Sequence, residues 1–173
     1  EVFRLKKMKR CLAIFLFAII LCGALSSNAS AYVKNGYVLS SPTYVGIYSY
    51  NTTYASKIYT YAKKWNQCPE LYLYESNSAV ATITAELSSA DNGTYGVTYH
   101  YGNDTHSIVF YSLWQTATDV KKNETIVHEF GHAVGLAHTQ AGNESISVMR
   151  EYGFNEKAYP LSDDKAGITA IYG

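Results

Sequence analysis

The chain after Tyr32 alternates apolar and polar positions in short runs and then lengthens its period. Tyr44 to Tyr50 (Y-V-G-I-Y-S-Y) reads as a strand, and Asn51-Thr52-Thr53 behind it offers helix caps. Tyr54, Ile58, Tyr61, Ala62 and Trp65 recur at i, i+4, i+7, i+8 and i+11, a single apolar stripe of an α-helix ending near Asn66. Pro69 bars its continuation. Leu71 to Tyr74 and Ala79 to Leu87 predict a second and third strand, with Asp91-Asn92-Gly93 as a turn. Gly96 to Tyr101 and Ser107 to Leu113 predict two more, parted by Gly102-Asn103-Asp104.

The helical period returns at Thr118-Asp119 and runs to about Leu136, whereas residues 139–160 show no clear periodicity. Ser162 is placed to cap a last helix, with Asp163 and Asp164 in its first turn, where acids complement the helix dipole. Ile168, Ile171 and Tyr172 give that helix a buried face. The expected class is α+β: one β-helix-β unit followed by hairpin-like pairs, giving a twisted mixed sheet of about five strands with helices packed on it.

The first 31 residues follow another logic. Lys6, Lys7, Lys9 and Arg10 precede the apolar run Cys11 to Leu25, then comes Ser26-Ser27-Asn28, and Ala29-Ser30-Ala31 suits a small-residue cleavage site. The expectation is a secretory signal over residues 1–31, cleaved after Ala31, with Met8 as the natural start and residues 32–173 as the mature domain of a secreted, extracellular protein. The rival is a membrane anchor through an uncleaved N-terminus, but a span needs about 20 apolar residues. Cleavage leaves Cys68 as the remaining cysteine, read as a small buried hydrophobe.

Charge narrows the partners. The whole chain balances 14 Lys+Arg against 14 Asp+Glu, yet residues 32–173 carry nine bases and 13 acids, a net of −4. That argues against nucleic acid, whose phosphates need basic partners. All 17 tyrosines lie in this part, as suits a folded domain with an aromatic surface.

The candidate chemistry sits in His128-Glu129-Phe130-Gly131-His132-Ala133-Val134-Gly135-Leu136-Ala137-His138. His128 and His132 are four apart, so a helix stacks them on one face, where two imidazoles can meet one zinc ion. Glu129 is turned about 100° away and borders the site, as a general base should. A straight helix would carry His138 about 15 Å along the axis from His128. Gly135 can adopt the left-handed conformation, end the helix and let the chain bring His138 back as a third ligand. Three protein ligands leave one position open, the mark of a catalytic zinc. His100 and His106, in the strand region, are read as structural or surface residues.

The extended H-E-x-x-H-x-x-G-x-x-H pattern, with Ser147-Val148-Met149 eleven residues beyond His138, resembles the metzincin zinc endopeptidases, and most the matrixin branch. Leu161 to Gly173 is similar to the last helix of that branch's catalytic domains. The resemblance implies a metzincin-like zincin with a backing helix, a zinc-binding active-site helix and a C-terminal helix. It implies one catalytic Zn2+ held by His128, His132 and His138, Glu129 as the catalytic general base, and Met149 packing beneath the metal without coordinating it. A protein or peptide substrate would lie extended along the edge strand around residues 96–101.

The sequence also departs from the branch. Thr139 stands where Ser is usual, and Arg150-Glu151-Tyr152-Gly153 replaces the Pro-x-Tyr wall, with Tyr152 left to line the specificity pocket. No Asp/His-rich stretch precedes His128, so a Ca2+ requirement does not carry over and stays open. The reading is a secreted, monomeric zinc metalloendopeptidase. Its alternative is a catalytically silent zinc-containing module that binds peptides.

Overall fold

The computed structural model describes residues 32–173; the expected signal and its cleavage site lie outside the described residues. Five strands form a single sheet: β1 (Val45–Ser49), β2 (Leu73–Glu75), β3 (Ile83–Leu87), β4 (Gly96–Gly102) and β5 (Thr105–Phe110). Their order is β2-β1-β3-β5-β4, parallel throughout except that β4 runs antiparallel to β5. The helices are α1 (Ala55–Ala62), continued as a 3-10 turn over Lys63–Gln67, then α2 (Ser112–Thr116), α3 (Asp119–Ala133) and α4 (Ser162–Tyr172). Among the described residues no helix is long and apolar enough to cross a membrane.

The α+β class, the five-strand mixed sheet and the β-helix-β unit agree with the sequence reading. Three details differ. Of the expected hairpin-like pairs, β4–β5 is the one that forms among the described residues. The third strand starts at Ile83 rather than Ala79, because Asn77 closes a local turn by accepting the Ala79 N–H on its side-chain oxygen at 3.0 Å. The fifth strand stops at Phe110, where the chain turns into α2 and buries Trp114, stacked on Phe110 at 4.7 Å.

α3 is held from below by two buried tryptophans. Trp65 Nε1 donates to Val127 O at 2.9 Å and Trp114 Nε1 to Lys122 O at 3.0 Å. A buried indole N–H needs an acceptor, so each ring both fills the core and fixes the helix along its axis. Ile58, Ala62 and Trp65 of the predicted stripe are fully buried beneath it. Cys68 is buried as well, as expected.

The last helix is capped differently from the expectation. Leu161, not Ser162, is the N-cap residue, and the Asp164 carboxylate accepts the Leu161 N–H at 2.7 Å. The same carboxylate accepts the Ser147 hydroxyl at 2.5 Å and the Val148 N–H at 2.9 Å. Asp164 therefore splices the start of α4 to the Ser147-Val148-Met149 turn, a stronger use of the carboxylate than complementing a dipole.

Candidate metal centre

α3 presents His128 and His132 on one face, as their spacing requires, and ends at Ala133. Gly135 follows at φ +103°, the left-handed conformation. Gly135 N donates to His132 O at 3.1 Å and Leu136 N to Gly131 O at 3.0 Å. These two bonds form a Schellman closure, which satisfies carbonyls the helix leaves open. The chain turns back and brings His138 to the other two imidazoles.

The three Nε2 atoms converge: His132 Nε2 lies 3.1 Å from His128 Nε2 and 3.2 Å from His138 Nε2. The other side of each helix imidazole is spoken for. His128 Nδ1 donates to Val148 O at 2.9 Å and His132 Nδ1 to Leu136 O at 2.8 Å. A carbonyl can only accept, so both protons sit on Nδ1 and both Nε2 lone pairs face inward. Converging lone pairs repel unless a cation lies among them, so the donor set fits a metal ion that prefers imidazole nitrogen, zinc above all. Burial also keeps the rings neutral: it pushes His128 down to about 4 and His132 down to about 3, and lowers His138.

Glu129 is buried and lines the cleft beside the three imidazoles. Burial raises its pKa, opposed by the neighbouring His132 and by the hydroxyl of Thr98, which donates to Oε2 at 2.8 Å. Gly96 makes room for it, since a Cβ there would stand 2.9 Å from Glu129 Cγ. Thr98 and Gly96 belong to β4, which is an edge strand, its outer side paired with no other strand among the described residues. A cleft of about 490 Å3 runs between this strand and the imidazoles, lined by Asn35, Thr98, His100, His132, His138 and Glu151. Beside it a cavity of about 320 Å3 is walled by Tyr95, Gly96, Glu124, His128, Arg150 and Tyr152. Residues 150–153 supply part of that cavity's wall, Tyr152 among them.

Met149 is buried and packs against Gly131, one residue before His132. Thr139 donates its hydroxyl to Asp163 at 2.6 Å, the kind of bond a serine there would also make. His100 and His106 stand apart from the three imidazoles as a structural pair, their Nδ1 atoms 2.9 Å apart, with His100 stacked on Tyr37 at 4.1 Å. Sequence reasoning missed Asn35, Thr98 and Asp164 around the centre. Each acts through a contact distant in sequence that no local spacing announces.

A family model described as matrixin matches residues 75–173. Matrix metalloproteinase-17 of Homo sapiens is 27% identical over 144 residues, which cover 70% of this chain and 23% of that protein. The chain therefore spans about a quarter of the length of that relative. A structure of myroilysin is similar with a TM-score of 0.61 at 15% identity, covering 82% of this chain and 98% of that one. The GM1-bound form of the ECX AB5 holotoxin is similar with a TM-score of 0.62 at 13% identity, covering 82% of this chain and 87% of that one. Likeness at such identities speaks to the fold.

Proposed function

The chain belongs to the matrixin family, and on that premise we propose that it is a secreted zinc-dependent endopeptidase acting as a monomer on extended protein or peptide substrates. His128, His132 and His138 would hold the zinc and Glu129 would serve as general base. The observation that carries this reading is the convergence of three Nε2 atoms beside a buried carboxylate.

Bound zinc would act as a Lewis acid towards water and the scissile carbonyl. The chain's own residues supply the rest. The unpaired side of β4 offers backbone N–H and C=O groups to an extended peptide, aligning it along the cleft. The cavity walled by Tyr95 and Tyr152 receives a side chain next to the scissile bond. Glu129 takes a proton from the attacking water and returns it to the leaving amine. Its raised pKa favours holding that proton between the two transfers. A module that only gripped peptides would have no use for a buried acid beside the imidazoles, which weighs against the silent alternative.

The test is hydrolysis of casein by the protein and by Glu129→Gln. The variant is expected to retain one zinc per chain and lose about 10²–10⁴-fold in turnover, and a chelator should silence the parent. Equal rates for parent and variant would remove Glu129 from the chemistry.

A further inference from the structure

A segment from the other end of the domain grips the reversal that follows α3. Ala137 N donates to Val33 O at 2.8 Å and Asn35 N to Gly135 O at 3.0 Å, with Lys34 and Leu136 paired as an antiparallel bridge. The Asn35 side chain does more than continue this pairing. Its Nδ2 donates to His132 O at 2.7 Å and approaches Leu136 O at 3.3 Å, while its Oδ1 accepts the Tyr37 N–H at 3.0 Å.

The two carbonyls are not arbitrary ones. His132 O belongs to the second imidazole's own residue, in the last turn of α3, where carbonyls lose their helical partners. Leu136 O is the oxygen that accepts His132 Nδ1–H at 2.8 Å and so sets the orientation of that ring. Leu136 also lies two residues before His138. One primary amide, with two N–H donors and one acceptor, thus joins the backbone of one imidazole, the oxygen that aims it and the chain leading to another.

We propose that Asn35 is a positioning residue for the metal centre, its side-chain amide fixing His132 O and Leu136 O so that His132 and His138 keep their Nε2 atoms converged. The proposal rests on the zinc-site reading above. Groups that accept the free ring N–H of a ligating imidazole tune metal affinity, typically by about 10–100-fold, and Asn35 holds one such group, Leu136 O, from behind. The same segment is also tied down by bonds that do not touch the centre, chiefly Lys34 Nζ to Ala170 O at 2.7 Å. Lys34→Met therefore loosens the segment without altering the amide, and serves as the control.

The experiment measures zinc affinity of the metal-free protein by competition with a chromophoric chelator, and the visible absorption of the Co2+-substituted form. Asn35→Ala is expected to weaken zinc binding by roughly tenfold or more and to shift the Co2+ bands. Lys34→Met is expected to keep parent values in both, even if its melting temperature falls. Asn35→Ser, which retains one short hydroxyl, should fall between and serves if the alanine variant does not fold. Parent affinity and parent Co2+ bands in Asn35→Ala, or an equal loss in Lys34→Met, would overturn the positioning role alone. Failure of the parent itself to take up one zinc would overturn the metal reading and this proposal together.

Discussion

Thr98 Oγ1 stands 2.8 Å from Glu129 Oε2 and 2.9 Å from the Glu129 carbonyl oxygen, so the edge strand and the buried acid form one hydrogen-bonded unit. The hydroxyl has a single proton to share between the two acceptors, and the carboxylate gains more from it. Burial raises the pKa of Glu129 and this contact pulls it back.

Thr98→Val removes the hydroxyl at nearly constant volume. A hydrogen bond to a charged group contributes about 1.5–3 kcal/mol, so kcat on a fluorogenic peptide should fall about 10–100-fold. Bound zinc should be unchanged. Steady-state kinetics with parallel metal analysis checks this, and an unaltered kcat would mean the hydroxyl does not orient the acid.

Gly131 faces Met149 and Trp65 with no room for a methyl group. A Cβ there would collide with Met149 Sδ and stand 2.7 Å from Trp65 Cζ2. Gly131→Ala should therefore lower stability by about 1–3 kcal/mol, outweighing the gain of roughly 1 kcal/mol in helix propensity. Adding Met149→Ala should recover part of the loss, a coupling that a double-mutant cycle in urea would measure. Full additivity would place the strain elsewhere.

Gly135 carries a second backbone constraint. At φ +103° a side chain is strained, and a Cβ would also stand 2.8 Å from Tyr37 O. Gly135→Ala should cost about 1–2 kcal/mol for the left-handed conformation alone, and should weaken zinc uptake because the reversal that returns His138 is disturbed. Denaturant titration and metal competition report the two effects separately.

The metal-free protein should lose stability as pH falls from about 6.5 towards 4, in part through His100 and His106. His106 Nε2 donates to Asn103 O at 2.9 Å, so its Nδ1 must accept from His100 Nδ1–H. A second proton on His106, at Nδ1, would set two N–H groups against each other. Burial, with the charge of His106, holds His100 down at about 4, and burial lowers His106 despite Asp104 beside it. Folded values below the unfolded 6.5 mean that the unfolded chain binds more protons in this window. The stabilisation is thus present above about pH 6.5 and drains away below it. His100→Phe, which keeps a ring against Tyr37, should flatten the dependence of melting temperature on pH relative to the parent. An unchanged slope would exclude the pair.

The site proved more legible than the sheet, for a physical reason. The imidazole positions follow from helix geometry and one glycine, both local: four residues make a turn, and Gly135 breaks it. Strand order is not local. Leu71 to Tyr74 and Ala79 to Leu87 are apolar in either arrangement, and nothing in their pattern says that β1 will lie between them. The capping of α4 escaped for the same reason. Ser162 has the usual chemistry, but Asp164 binds Leu161 N together with Ser147, 17 positions away, and so serves two elements at once. Asn35 and Thr98 carry no local signal at all, since their partners lie 97 and 31 positions along the chain.

Cys68 has a practical bearing. Its thiol is buried and pushed up to about 12, first by burial and then by Glu70. So little thiolate forms at neutral pH that alkylating agents and air should leave it alone. Preparations starting at Tyr32 can be purified without dithiothreitol or mercaptoethanol, whose sulfur atoms would themselves compete for zinc.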